Sequence, residues 1–177
     1  MAKAYVLMNC DLGSEKEIIV TLEKIEGVKE VHGTLGMYDI IAQIESENEE
    51  KIREIITKTI RKMPKIRSTM TLTRSESEEF FKTSEKLIGM ILGHNLAQAY
   101  VVIHCNKGEE YSTLKNLSHI PEVKEADVVF GFYDVICKIE ATDDKTLEDI
   151  TTKAIRKLPN IESSMTLNII NEQDPDK

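Results

Sequence analysis

The stretch Gly36-Met37-Tyr38-Asp39 recurs 95 residues later as Gly131-Phe132-Tyr133-Asp134, and this repetition decides the fold of the chain. At the same offset, residues 4–73 align with residues 99–168 without a gap, and 29 of the 70 aligned positions are identical. A solenoid needs at least about three repeats. The duplication therefore predicts either two domains with a core each or two halves of a pseudo-symmetric pair.

Each copy predicts the order β-α-β-β-α-β, which is the ferredoxin-like pattern. In the first copy, apolar runs and alternation predict the strands, and two Ser-x-x-Glu capping boxes predict where the helices begin. The predicted elements are a strand over 4–10, a helix from Ser14 to Gly27, strands over 28–35 and 38–45, a helix from Ser46 to Pro64, and a strand over 66–73. In the last strand, the alternation predicts that Met70 and Leu72 face inward and that the three threonines face outward.

The second copy predicts a helix over 111–120, strands over 123–130 and 133–140, a helix over 146–158 and a strand over 161–169. We therefore expect an α+β fold with domains at 1–74 and 98–170, a linker at 75–97 that contains a connecting helix over about 77–92, and a disordered tail at 171–177. The sheet face opposite the helices is half apolar, with Tyr5, Leu7 and Ile41 on it. This composition predicts that the two ferredoxin-like units pack as an intramolecular pseudo-dimer.

The composition excludes several classes of protein. The chain carries 23 Lys and Arg against 31 Asp and Glu, so its formal charge is −8, and nonspecific affinity for nucleic acid comes mostly from clustered cations. Three cysteines are an odd number and too few for a disulfide framework, which favours a reducing compartment. No apolar run approaches the roughly 20 residues of a membrane span. We expect a soluble cytoplasmic protein that does not bind free DNA.

Metal binding and catalysis are both disfavoured. Cys10 and Cys105 are equivalent positions, Cys137 lies on a predicted strand, and His104 is adjacent to Cys105, but neighbouring strand residues point to opposite faces. Buried thiols that face the helices are the first interpretation, and a metal site is the alternative. The four histidines do not recur at equivalent positions, and no phosphate loop or nucleophile elbow is present. We expect no enzyme and no cofactor, and the absence of an RNP segment disfavours RNA.

Three runs in the first copy carry a resemblance to a known family. They are Gly27-Val28-Lys29-x-Val31, Gly36-x-Tyr38-Asp39-Ile40 and Pro64-x-Ile66-x-x-Thr69-x-Thr71, and the pattern recurs in the second copy. Together they resemble the effector-binding (RAM) domain of the Lrp/AsnC transcription regulators. The resemblance covers about residues 4–73 and 99–168. Regulators of this family begin with a helix-turn-helix DNA reader, and we expect this chain to lack one.

The resemblance implies a protein that senses an amino acid or a similar small effector in clefts between βαββαβ units. It also implies assembly, here a homo-oligomer of two or four chains. The residues that it assigns to the effector site are Gly36, Tyr38, Asp39, Thr69, Thr71, Gly131, Tyr133, Asp134, Ser164 and Thr166. Met37 and Phe132 stand where the family often has an acidic residue, which favours an apolar effector or none. The alternative is an assembly partner that co-oligomerises with full-length Lrp/AsnC regulators and binds no metabolite.

Each of these residues also has a structural interpretation. The two glycines suit a turn with a positive φ, and the two aspartates suit a strand start that binds backbone N–H groups. The tyrosines suit an interface at which the hydroxyl reaches a partner. Threonine and serine are favoured on half-exposed strands without any ligand. The sequence leaves the two interpretations open for all ten positions.

Overall fold

The computed structural model describes residues 1–74, 80–83 and 96–170, and it divides the chain into two compact units. By its contacts, unit 1 comprises Met1–Ser77 together with Phe130–Phe132, and unit 2 comprises Glu78–Val129 and Tyr133–Lys177. The predicted tail at 171–177 lies outside the described residues. In the described part of the chain, no helix has both the length and the apolar character that a membrane span requires.

Unit 1 has the predicted β-α-β-β-α-β order. Its elements are β1 (Ala2–Cys10), α1 (Glu15–Glu23), β2 (Val28–Leu35), β3 (Ile40–Ser46), α2 (Glu49–Glu54) and β4 (Ile66–Arg74). The four strands form an antiparallel sheet in the order β4-β1-β3-β2. The helices pack on one sheet face, where the side chains of β1 and β3 at alternate positions are buried in a core with Ile18, Leu22 and Ile52.

Unit 2 repeats this arrangement and adds a strand. Its elements are β5 (Phe80–Lys82), β6 (Ala97–Cys105), α3 (Glu110–Ser118), β7 (Val123–Val128), β8 (Val135–Ala141), α4 (Asp144–Asp149) and β9 (Ile161–Ile169). Its strands follow the order β9-β6-β8-β7-β5, and all the pairs are antiparallel. The expected α+β fold of two ferredoxin-like units is therefore confirmed.

The prediction of a connecting helix over about 77–92 is wrong at residues 80–82. These residues form β5, which pairs with β7 in the register Phe81↔Ala126. The strand is favoured there because it satisfies backbone groups at the edge of β7, and because Phe81 packs against the core of unit 2. The remainder of the predicted helix, apart from Thr83, lies outside the described residues.

The predicted faces of β4 are also wrong. In the antiparallel register Val6 lies opposite Thr71 and Met8 lies opposite Thr69, and Val6 and Met8 belong to the core under the helices. Paired residues share a sheet face, so the threonines face the helices. Leu72, which is fully buried, points to the opposite face.

The helix caps differ in detail from the predicted capping boxes. Ser14 is the N-cap of α1, but its hydroxyl donates to the Asp11 carbonyl and accepts no backbone N–H. Asn48, and not Ser46, caps α2, because its side-chain oxygen accepts the N–H of Lys51 at 2.9 Å. Asp143 caps α4 in the same way through Thr146 at 2.7 Å. The second helices of the two units therefore begin in the same frame.

Both second helices continue as π-helix. In unit 1 the π segment is Ile55–Thr59, followed by a 3₁₀ turn at Ile60–Lys62, and in unit 2 it is Ile150–Ile155. The two segments begin at equivalent positions of the duplication. Short π segments inside helices are frequent at functional sites. The sequence predicts one uninterrupted α-helix here and does not reveal the change.

The three cysteines are buried and free. They lie in the cores beneath the helices. Burial raises the pKa of Cys10 and Cys105, and it raises the pKa of the wholly enclosed Cys137 from the ordinary value of 9.0 to about 12. Because the folded chain holds the Cys137 proton more tightly than the unfolded chain does, the contribution of this thiol to stability is complete below pH 9 and is lost as the pH rises toward 12.

We therefore expect the folded state to lose about 1.4 kcal/mol per pH unit above pH 9 through Cys137 alone. The matched control is Cys137→Ala, because alanine is the equivalent residue in unit 1, where Ala42 is also fully buried. Urea unfolding from pH 8 to pH 10 of both proteins measures the difference. A stability gap between them that stays constant over this range would contradict the expectation.

Candidate functional site

A cleft of about 410 Å³ opens in unit 1 between α2 with its π segment and strand β4. The first wall of the cleft comes from the helix. Ile52 and Ile56 line it and are nearly enclosed, at 2% and 4% exposure. Glu49 and Arg53, one helical turn apart, line its mouth and are exposed to solvent. Neither of these two side chains makes an ion pair or hydrogen bond with another described residue.

The second wall is β4, where the predicted site residue Thr71 faces the cleft. Its hydroxyl oxygen is buried and has no hydrogen-bond partner among the described residues, and the equivalent Thr166 of unit 2 is in the same condition. A buried hydroxyl without a partner costs about 1–3 kcal/mol. Because Thr71 also lines the cleft, a polar group bound there would complete its hydrogen bond.

Arg61 also lines the cleft. Its Nε donates to Thr69 Oγ1 at 3.2 Å, and the equivalent Arg156 donates to Ser164 Oγ at 3.1 Å. The predicted site residues Thr69 and Ser164 therefore hold arginines against the sheet. Each guanidinium keeps its other N–H groups for further acceptors.

The third wall is Phe130, which pairs with the end of β4. Thr73 N–H donates to the Phe130 carbonyl at 2.9 Å, and Phe130 N–H donates to the Thr73 carbonyl at 2.8 Å. The next residue, Gly131, adopts a φ of 142°. A Cβ built on it would lie 2.7 Å from the Thr71 carbonyl oxygen, closer than real contacts. Glycine is thus required at 131 for the backbone to approach β4.

The aspartates of the two Gly-x-Tyr-Asp turns bind backbone. Oδ2 of Asp39 accepts the N–H of Cys10 at 3.0 Å, and Oδ2 of Asp134 accepts the N–H of Cys105 at 3.0 Å. Both N–H groups lie at register shifts, one in β1 and the other in β6. A bulge leaves a strand N–H outside the ladder, and the carboxylate satisfies it. This geometry fits the structural interpretation of both aspartates.

The tyrosines of the same turns contact methionine sulfur. The Tyr38 hydroxyl lies 3.7 Å from Met70 Sδ, and the Tyr133 hydroxyl lies 3.9 Å from Met165 Sδ. The units differ at the residue that precedes the bulge cysteine. In unit 2 this residue is His104, and its ring stacks on Tyr133 with the ring centroids 4.4 Å apart. His104 also approaches Asp134, with Nδ1 and Oδ2 at 3.6 Å.

Only part of the predicted set therefore meets in the cleft. Thr71 lines it, Thr69 positions its arginine, and Gly131 carries the backbone beside its third wall. The cleft lining does not include Gly36, Tyr38 or Asp39. The other four predicted residues belong to unit 2 and do not line this cleft. They are Tyr133, Asp134, Ser164 and Thr166.

Sequence reasoning missed the arginines and the apolar walls. Arg53 and Arg61 look like solvent-facing helix charges, and Phe130 is 57 residues from Thr73 along the chain. One signal was available, because Glu49, Arg53 and Thr57 recur at intervals of four and so share one helix face. Within residues 1–74, 80–83 and 96–170, no cluster of three or more His, Cys, Asp or Glu residues is arranged to hold a metal ion.

Comparisons with known proteins extend these observations. The family model described as Lrp/AsnC ligand binding domain matches residues 3–77 and 98–176. An uncharacterised HTH-type transcriptional regulator of Pyrococcus furiosus is 32% identical over 72 residues, which cover 39% of this chain and 48% of the regulator. The chain therefore spans about half the length of this curated relative.

Two solved structures illustrate the range of similarity. A hypothetical protein from Pyrococcus horikoshii is 35% identical with a TM-score of 0.41, over 42% of this chain and 89% of that chain. The siroheme decarboxylase NirDL is 7% identical with a TM-score of 0.67, over 96% of this chain and 71% of that chain, and it shows a likeness of fold alone. The family model, by contrast, matches both repeats over most of their length. The chain belongs to the Lrp/AsnC family, as a tandem pair of its ligand-binding domain.

Proposed function

We propose that this chain is a regulatory protein that binds an amino acid or a related small metabolite in the unit 1 cleft. The observation that carries the proposal is the buried hydroxyl of Thr71, which has no partner among the described residues and lines the same cleft as two arginines. The volume of about 410 Å³ lies in the range of small-molecule sites, roughly 300–1,000 Å³.

The cleft offers a complement to each part of an amino acid. Arg53 and Arg61 suit the α-carboxylate, because guanidinium groups bind carboxylates through paired N–H donors. Glu49 suits the α-ammonium group. Ile52, Ile56 and Phe130 suit an apolar side chain, in agreement with the expectation of an apolar effector. Thr71 would complete its hydrogen bond with a polar atom of the ligand.

A second candidate function is that of an assembly partner for full-length regulators. It is favoured by the match to about half of an HTH-type regulator. It is also favoured by exposed apolar side chains where β2 ends and the turn to β3 begins: Leu35, the last residue of β2, is 59% exposed, and Met37 in the turn is 75% exposed. As part of either proposal, we infer an assembly of two or four chains, a cytoplasmic location and no catalytic activity.

A thermal-shift screen of the twenty L-amino acids at millimolar concentration tests the proposal. A ligand that binds only the folded state stabilises it by about 2.7 kcal/mol at a hundredfold excess over Kd. We expect a shift with at least one apolar amino acid and at least a tenfold loss of affinity in Arg53→Gln.

The matched control is Lys58→Gln, which removes one positive charge from the adjoining π segment. Lys58 is exposed, pairs with Glu54 at 3.6 Å and does not line the cleft. We expect this variant to bind like the parent protein. No shift with any amino acid would overturn ligand sensing in favour of the assembly partner, and an equal loss in both variants would contradict the assignment of Arg53.

A further inference from the structure

We infer that the two copies of the duplication have diverged in charge, so that each chain binds one carboxylate-bearing ligand, in unit 1, and the equivalent surface of unit 2 rejects it. The inference rests on the proposed function. It goes further because it states how many ligands bind to each chain and which residue determines that number. That residue is Arg53, whose equivalent in unit 2 is Glu148.

The framework around this position is the same in both units. Asn48 and Asp143 cap their helices through equivalent N–H groups, and both helices turn into π segments at equivalent residues. Arg53 and Glu148 each stand five residues after the cap, and both are exposed. The two residues therefore occupy equivalent positions on their helices.

The polar parts beside the framework are also retained. Arg61 and Arg156 make the same bond to a hydroxyl of the last strand, at 3.2 and 3.1 Å. The hydroxyls of Thr71 and Thr166 are both buried without a partner among the described residues. What unit 2 retains is thus one arginine and one threonine of the proposed site.

The charges of the helical wall are not retained. In unit 1 the wall and its end carry Glu49, Arg53 and Arg61, with a net charge of +1. The equivalent residues in unit 2 are Asp144, Glu148 and Arg156, with a net charge of −1. A carboxylate that gains a guanidinium partner in unit 1 would meet a like charge in unit 2, and a like charge close by is unfavourable.

The apolar part of the helical wall is also less suited to the ligand in unit 2, because it has become more polar. Ile56 of unit 1 is Thr151 in unit 2. The Thr151 hydroxyl is buried and donates to the Leu147 carbonyl at 3.1 Å. Unit 2 therefore lacks the cation, and the two isoleucines on which the unit 1 site is built are replaced there by Leu147 and Thr151.

The test is calorimetric titration of the full chain. The probes are the L-amino acid that gives the largest shift in the screen of twenty and its carboxamide, which lacks the carboxylate. We expect one amino acid per chain, at least a tenfold weaker binding of the carboxamide, and at least a hundredfold loss in Arg53→Glu. Melting of the unliganded variant checks that it folds, and Arg53→Gln provides a second variant with a smaller change.

The reciprocal change is made in unit 2. Glu148→Arg combined with Thr151→Ile gives unit 2 the cation and the isoleucine of the unit 1 helical wall, while Asp144 and Leu147 stay in place of Glu49 and Ile52. We expect a second amino acid to bind per chain. Two equivalent ligands on the parent chain, equal binding of the acid and its carboxamide, or no second ligand on the unit 2 variant would each overturn the inference while ligand sensing stands. No shift with any amino acid overturns the proposed function and this inference together.

Discussion

Gly131→Ala is expected to lower the free energy of unfolding by about 2–6 kcal/mol. A side chain at a φ of 142° strains the backbone by about 1–3 kcal/mol. The added Cβ would lie 2.7 Å from the Thr71 carbonyl oxygen and 3.0 Å from Leu72 Cδ2, and overpacking adds about 1–3 kcal/mol. Urea unfolding measures the loss. We also expect Phe130 to leave the cleft wall, so that amino-acid binding weakens by at least tenfold.

Gly108→Ala is the matched control for this variant. Gly108 has a positive φ of 88°, and a Cβ built on it meets nothing within 4 Å. The control therefore carries backbone strain without a clash, and we expect a smaller loss of stability with unchanged ligand binding. If both variants lose the same stability and bind alike, the close approach of Gly131 to β4 has no energetic role.

Replacing both turn aspartates, Asp39→Ala with Asp134→Ala, is expected to lower the free energy of unfolding by about 2–4 kcal/mol. Each carboxylate satisfies one strand N–H at a bulge, and a buried donor left without a partner costs about 1–3 kcal/mol. We take about 1–2 kcal/mol per site, because the Asp134 side chain is 35% exposed and water can reach part of it. The two bonds lie in different units, so their effects should add.

The isosteric control is Asp39→Asn with Asp134→Asn, which keeps an acceptor oxygen at each position. We expect it to recover more than half of the lost stability and to bind amino acids as the parent does. If the alanine variant instead keeps full stability and loses ligand binding, the aspartates act as ligand contacts and the structural interpretation fails.

The fold could be predicted because each element occurs in both repeats, so that its sequence pattern can be compared between two copies. The strand over 28–35 in unit 1 and the strand over 161–169 in unit 2 have the predicted bounds. The faces of β4 could not be predicted in the same way. Alternation separates Thr71 from Leu72 but does not say which of the two lies under the helices. That choice depends on the register with β1, which pairs residues about 65 positions apart along the chain.

The site was predictable at the strand hydroxyls and at the turn glycine Gly131, and not at its charged and apolar walls. Thr71 was found through the family pattern, and the structure adds what the sequence cannot give, namely that its oxygen lacks a partner. Arg53 was missed because a charged residue on a helix surface is usually solvated, and such a residue taken alone does not indicate a binding site. Phe130 was missed because its contact with Thr73 joins segments that no local pattern relates.

The position of Phe130 also sets the order in which the cleft is completed during synthesis of the chain. Strand β4 ends at Arg74, and the phenylalanine that forms the third wall is the fifty-sixth residue after it. At roughly 5–20 residues per second, that interval is roughly 3–11 s. A nascent chain that already contains all six elements of the first repeat still lacks one side of the unit 1 cleft, and so does any product released before residue 130.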